Sequence, residues 1–401
     1  MRRLRPDELV SPADGFFSNS EELSRHKLIY LDNNSTTKPA DSAIVGMKKA
    51  LEFLWGNSSN NHSVGEASLR AIQLTASRVA KFIGIDDESS VGFVSGGTEA
   101  NQNVIRHITK TSDKVAFLET EHSSVIDAYS ALSSIEPFSL SVHSNGIINL
   151  KELKLRLSED KCRAISIQWA NSETGVIQPI GELLKLCDLY DAALHVDAAQ
   201  AVGKIDLEPN LVRRIDYLTF TAHKLHGPQG VGIIITGDKQ ADCDILFQQS
   251  HTRNAPGIIA FGEVIQERLD SQSNHSKYLQ SLRDTFETSL LALHPRLKIN
   301  AAGSPRIPNT SNIQFVGVDG AALVARLDQD ELMCSQVSAC LTGRPEPSYV
   351  LTAMGVSEEQ ARSSVRFSFS ILNTNEEVEL AVKIISFCYK KLLKKSMLFL
   401  S

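Results

Sequence analysis

The chain has little of what the specialised protein classes require. Its six cysteines, Cys162, Cys187, Cys243, Cys334, Cys340 and Cys388, are scattered with no C-x-x-C pair among them. Neither a structural zinc site nor a disulfide framework is expected from that spacing. No apolar run approaches the ~20 residues of a membrane span. The N-terminal MRRLRPDELVSPADGFF begins basic but never develops the apolar core of a signal peptide. A net charge of -6, with 22% charged residues, gives no general pull toward nucleic acid or an anionic membrane. No repeat or low-complexity segment is visible. These absences leave a cytoplasmic protein with reduced thiols as the expectation.

What is present is an ordinary globular composition, 42% hydrophobic over 401 residues, long enough for about two or three domains. Apolar residues recur at helical spacing from Val64 to Ile83, and Gly84 follows as a stop. Short, near-continuous apolar runs come next: SVGFVS, KVAFLE, RAISIQWA, ALHVDAAQ, YLTFTA and VGIIIT. Strands buried on both faces read this way, and helical segments between them predict an α/β fold with a mostly parallel sheet. Residues 1–27 carry Pro6, Pro12 and Gly15 and read as an extension. A large domain is expected over 28–274, its first residues able to pack with a smaller α+β domain over 275–401. The smaller domain is signalled by an amphipathic helix from Ser276 to Leu293 and a final helix opened by a Thr374/Glu377 capping box.

Four groups stand at predicted strand ends. Lys224 follows YLTFTA and precedes a loop punctuated by Gly227, Pro228 and Gly230. Most lysines are solvated charges, so Lys224 gains meaning only from its company. Asp197 closes the buried run in HVDAAQ, where a carboxylate needs a cation or several donors; a capping role would also suit it. Gly96, Gly97 and Thr98 join a strand to a helix, a place where backbone N–H groups suit a phosphate, though a plain tight turn reads the same. His122, in LETEHSSVID, suits a structural, stacking or acid/base role.

In this order, Gly-Gly-Thr, Glu-His, His-Val-Asp-x-x-Gln and His-Lys-x-x-Gly-Pro-x-Gly resemble the fold-type I pyridoxal phosphate enzymes. With LDNNSTT, NSETGVIQPI, SACLTGRPEPSYVL and SSVRFS, residues 28–395 resemble a cysteine desulfurase of the class carrying its reactive cysteine on a long loop. The resemblance implies a homodimer that binds pyridoxal 5'-phosphate and converts L-cysteine to L-alanine. Lys224 matches the family's Schiff-base lysine, Asp197 the carboxylate at the ring nitrogen, and Gln200 the donor to the ring hydroxyl. Gly97, Thr98, Thr221 and His223 match the phosphate contacts, His122 the stacked imidazole, and Arg366 the guanidinium for the substrate carboxylate. Cys340 matches the sulfur acceptor, which forms a persulfide and passes the sulfur to an acceptor protein. The pathway stays open among iron–sulfur assembly, tRNA thiolation and DNA phosphorothioation. No metal, membrane or direct nucleic-acid contact is implied.

Two departures bear on the site. Ser172 stands where the family has an asparagine at the cofactor ring, and neighbouring Asn171 is a candidate to compensate at the substrate. The family's Arg-Ser-Gly-Thr stretch, which reaches the partner subunit's phosphate, is absent from QQSHTRNAPGII, where Thr252 or Arg253 are the candidate substitutes. A selenocysteine lyase on the same scaffold, or a member that has lost its chemistry, are the competing readings.

Overall fold

The computed structural model describes residues 28–110, 114–132, 135–238, 252–271, 274–336 and 346–399. Strands are numbered along the chain: β1 Ile29–Tyr30, β2 Val91–Val94, β3 Lys114–Leu118, β4 Glu136–Leu140, β5 Ala164–Gln168 and β6 Ala193–Asp197. There follow β7 Tyr217–Thr221, β8 Gly232–Thr236, β9 Lys298–Ile299, β10 Thr310–Gln314, β11 Leu332–Met333 and β12 Ser364–Ser368.

A seven-stranded sheet in the order β2-β8-β7-β6-β5-β3-β4 forms the centre. Only β8 runs against its neighbours, pairing antiparallel with β2 and β7; the other pairs are parallel. The strands β5, β7 and β8 are buried at every position, as their near-continuous apolar sequences predict, with Ser166, Gln168, Thr219 and Thr221 buried among them. Successive residues point to opposite faces. Ile165, Leu218 and Ile233 therefore join a core shared with the helices Ser63–Ile83 and Ala255–Asp270. Their neighbours Ala164, Tyr217 and Ile234 join the core under the helices Gly97–Ile108 and Ser123–Ser130. Each large apolar side chain so buried contributes about 1.5–3 kcal/mol.

The helix Ser63–Ile83 stops at Gly84, whose φ of 80° lets its N–H return to Ala80 and Lys81. The edge strand β4 carried no recognised signal because it opens with Glu136 and Pro137; an edge position tolerates proline's missing donor.

A second core gathers Phe286, Phe315, Phe367, Phe369 and Ile385 between the antiparallel sheet β12-β10-β9 and the helices His275–Leu293 and Asn375–Phe399. The last helix begins with the expected capping box: Glu377 N–H donates to Thr374 Oγ1 and Thr374 N–H to Glu377 Oε2, each at 3.2 Å. The strand β1 pairs parallel with β11, so Ile29 and Leu31 belong to this second core. The segment after β1 then runs back across the ends of the large sheet, where Thr37 N–H donates to His223 O at 2.9 Å.

Candidate active site

A cleft of about 690 Å³ opens where β5, β6 and β7 end and the helix Gly97–Ile108 begins. Ligands gather at such carboxyl-terminal strand ends in open α/β sheets. Gly97, Thr98, His122, Ser172, Asp197, Gln200, Thr221, His223, Lys224 and Arg366 all line it, although the chain separates the first from the last by most of its length. Cys340 lies outside the described residues.

Lys224 ends a short turn, Ala222–Lys224, directly after β7. Its Nζ donates to the carbonyls of Asn34 and Ser35, the latter at 2.7 Å. Burial, and then the Arg366 guanidinium, lower this amine to about 8, against the pull of Asp197 and Asp32. The glycines that follow set the backbone close to its neighbours. A Cβ on Gly227 would fall 2.9 Å from Ala222 O, and one on Gly232 would fall 2.3 Å from Gly96 O.

Asp197 ends β6 and is saturated on its inner side. Its Oδ1 accepts from Ala199 N–H at 2.9 Å and its Oδ2 from Asn101 Nδ2 at 2.8 Å. Gln200 donates from Nε2 to Asn34 O at 3.0 Å, while its Oε1 accepts from the buried Lys204 Nζ at 2.5 Å. Lys204 thereby fixes which end of the Gln200 amide is the donor.

At the other end of the cleft, Gly97 and Thr98 supply first-turn N–H groups that have no intrahelical partners. Space beside Gly96 is open, with nothing within 4 Å of where a Cβ would stand. Thr221 Oγ1 donates to Val231 O at 3.0 Å and retains lone pairs. His223 shares a hydrogen with Thr36 Oγ1 at 3.1 Å, and burial, then Lys224 and Lys204, push its imidazole down to about 4. Neutral donors around open space at a helix start suit a phosphate group.

Arg366, at the middle of β12, is 5% exposed. It donates from Nη2 to Asp32 Oδ1 at 2.6 Å and Ser35 Oγ at 2.8 Å, and from Nη1 to Ser172 O at 3.1 Å. An amine of lowered basicity, a buried carboxylate, a phosphate-type cradle and an arginine in one cleft fit a phosphorylated pyridine aldehyde with an amino-acid substrate.

Asn171 does not reach the cleft. Its Oδ1 accepts from Glu173 N–H and Thr174 N–H, both at 2.9 Å, and its Nδ2 donates to Thr120 O at 3.2 Å. The side chain closes a turn and is not available to a substrate, so the sequence expectation for it is corrected. Thr252 is exposed and Arg253 half-buried, and neither lines the cleft.

Several lining or supporting groups were not singled out from the sequence. Asn34 joins the two cores: its Nδ2 donates to Thr310 Oγ1 at 2.8 Å and its Oδ1 accepts from Lys204 Nζ at 3.0 Å. It lies in LDNNSTT, which marked the segment without marking the residue. Glu173 is buried, donated to by Ser348 Oγ, and pushed up to about 7 by burial. Asn101, on the inner face of the helix Gly97–Ile108, gave no signal beyond a polar residue at a core position. Among the described residues no His, Cys, Asp and Glu cluster could hold a metal ion, and no helix is long and apolar enough to cross a membrane.

A model of the aminotransferase class-V family matches residues 29–380. A cysteine desulfurase of Sinorhizobium fredii is 31% identical over 91% of this chain and 97% of its own. The cysteine desulfurase NifS of Azotobacter vinelandii is 32% identical over 88% of this chain and 91% of its own. Among solved structures, a NifS-like protein from Rickettsia africae superposes with a TM-score of 0.81 at 27% identity, covering 90% of this chain and 99% of that one.

Proposed function

Because the chain belongs to the aminotransferase class-V family and to the cysteine desulfurases within it, we propose that this cleft holds pyridoxal 5'-phosphate beside L-cysteine and that the sulfur passes to Cys340. Lys224 would hold the cofactor covalently, with Asp197 at its ring nitrogen, Gln200 at its hydroxyl and His122 against its ring. Gly97, Thr98, Thr221 and His223 would hold its phosphate, with Ser172 adding a shorter contact. When bound, the cofactor supplies an electron sink conjugated to the substrate α-carbon.

The observation that carries this reading is the convergence of Lys224, Asp197, the helix start at Gly97 and Thr98, and Arg366 on one cleft, where burial lowers the amine to about 8. Arg366 binds the carboxylate of L-cysteine, and Lys224 Nζ, as a free base, takes the α-proton. The Cys340 thiolate then attacks the substrate sulfur. An S–S bond forms as the C–S bond breaks, its electron pair passes to the β-carbon, which takes a proton, the α-carbon regains the proton held on Lys224 Nζ, and L-alanine leaves. Support for Cys340 comes from the four thiols among the described residues; Cys243, like Cys340, lies outside them. Cys162, Cys187 and Cys388 are buried, and burial pushes Cys162 and Cys388 up to about 11 and raises Cys334 as well. Buried thiols of that kind are poor nucleophiles.

A second copy of the chain is the proposed partner for the exposed apolar residues Ile44, Val45, Leu51, Phe53 and Trp55. A further protein then takes the outer sulfur, for iron–sulfur assembly, tRNA thiolation or DNA phosphorothioation, in the reducing cytoplasm. The test is L-alanine formation with mass analysis of the Cys340 peptide. Wild type should carry one added sulfur on that peptide, and Cys340→Ala should make no persulfide; full sulfur release by Cys340→Ala sinks the assignment.

A further inference from the structure

A run of buried side chains crosses the sheet beneath the site, and with a neutral imidazole at its centre its hydrogen bonds have one consistent direction. Tyr129 OH lies 2.7 Å from Ser166 Oγ, and Ser166 Oγ lies 2.9 Å from His195 Nδ1. His195 Nε2 lies 3.0 Å from Thr219 Oγ1, which donates to Asn101 Oδ1 at 2.6 Å. Asn101 Nδ2 then divides its two hydrogens between Asp197 Oδ2 at 2.8 Å and Ser124 Oγ at 2.9 Å. Ser166 and His195 are 0% exposed, Thr219 and Tyr129 1% and Asn101 2%, so the set is shut off from bulk solvent.

The direction follows from Asp197. A carboxylate only accepts, so the Asn101 amide must present nitrogen to it and oxygen to Thr219. The single hydroxyl hydrogen of Thr219 is then committed to Asn101, and Thr219 Oγ1 can only accept from His195. His195 must therefore carry a proton on Nε2, and a ring kept neutral by its burial leaves Nδ1 to accept from Ser166, whose oxygen accepts from Tyr129. The second branch is fixed by the backbone. His122 Nδ1 accepts from Ser124 N–H at 3.1 Å and lies 2.8 Å from Ser124 Oγ, so its proton also sits on Nε2.

We propose that Asn101, oriented by the Thr219–His195–Ser166–Tyr129 chain, is the positioning residue that holds Asp197 as an acceptor, its second amide hydrogen engaging Ser124 Oγ beside His122. This rests on the reading of the cleft as the cofactor site. Neutral, directional donors suit the role, because a charge in the chain would oppose or screen Asp197. Burial pushes His195 down to about 4, with Asp197 the opposing influence, and burial first, then Glu121 and Cys162, raises Tyr129, offset by its bond to Ser166. The imidazole and phenol therefore both stay uncharged near neutral pH.

The test is nitrogen NMR of the full chain labelled with ¹⁵N-histidine, the His195 signals assigned by their loss in His195→Gln. The expected result is a protonated Nε2 and a bare Nδ1, unchanged from about pH 5 to about pH 8. An Nδ1–H tautomer, or an imidazolium within that range, overturns the proposal. The tautomer can be read without pyridoxal phosphate. A chain that binds none yet shows Nε2–H refutes only the cofactor reading, whereas a loaded enzyme with Nδ1–H refutes only the relay.

A second measurement uses Thr219→Val, which keeps shape and removes the hydroxyl. Half-saturation by pyridoxal phosphate should weaken on the order of tenfold to a hundredfold, and the pH midpoint of the bound cofactor's absorbance should move. Thr219→Ser should restore both, and Leu218→Val, facing the other core, should leave both unchanged. If Thr219→Val matches Leu218→Val in both readouts, the amide needs no such support and the proposal fails.

Discussion

Arg366 Nη2 donates to Asp32 Oδ1 at 2.6 Å, so the guanidinium proposed for the substrate carboxylate already has a counter-charge from the segment after β1. Three of its five N–H groups are so committed, to Asp32, Ser35 and Ser172 O, which leaves one hydrogen on Nη1 and the buried Nε–H, so a substrate carboxylate gains a full fork only by displacing one of these partners. Arg366→Lys keeps the charge but loses the fork. KM for L-cysteine should rise on the order of tenfold to a hundredfold, with a smaller change in kcat. Steady-state kinetics with L-cysteine check this, and an unchanged KM would remove Arg366 from substrate binding.

The lowered basicity of Lys224 predicts how the empty protein takes up its cofactor. Only the free amine reacts with an aldehyde. The rate of uptake should climb with pH to about 8 and level off there. Stopped-flow absorbance across pH reads this directly; a rate still climbing toward 10.5, the value of an ordinary lysine, contradicts the desolvated setting.

Glu173 predicts a stability effect of opposite sense to the usual carboxylate. Its carboxyl is raised from 4.5 to about 7, so between those values the folded chain keeps a proton that the unfolded chain has released. Its contribution is complete below pH 4.5 and declines as pH rises through about 7. Relative to wild type, Glu173→Gln should gain on the order of 3 kcal/mol across that window. Denaturant unfolding of both proteins at each pH measures it, and parallel pH curves would argue that the carboxyl is ordinary.

The exposed apolar set around the helix Asp41–Phe53 predicts association. Phe53 is 72% exposed and Trp55 68%. Replacing both with glutamate should convert a sedimenting dimer into monomers. A wild-type monomer at micromolar concentration would refute the proposed partner.

Much of this was legible in the sequence because burial on both faces writes itself as near-continuous apolar runs, as in β5, β7 and β8. The groups at strand ends, Lys224 after β7, Asp197 closing β6 and Gly97 after β2, were legible through order and spacing. What escaped depended on contacts distant in the chain. Asn101 and Asn34 are polar residues in unremarkable local settings, and their roles exist only once β6, β7, β10 and the segment after β1 meet. Asn171 misled for the converse reason: adjacency to Ser172 suggested a shared cleft, but its Oδ1 is occupied by the N–H groups of Glu173 and Thr174. The short strand β1 was hidden because two residues carry no periodicity.

The central claim, that Lys224 is the amine joined to pyridoxal phosphate, is tested most directly by borohydride reduction of the loaded protein and mass mapping of its peptides. The account predicts one pyridoxyl phosphate group per chain, on the peptide containing Lys224, with colour and label both lost in Lys224→Ala. Label on Lys204 or on any other lysine, or an unlabelled protein that still forms L-alanine from L-cysteine, would contradict it.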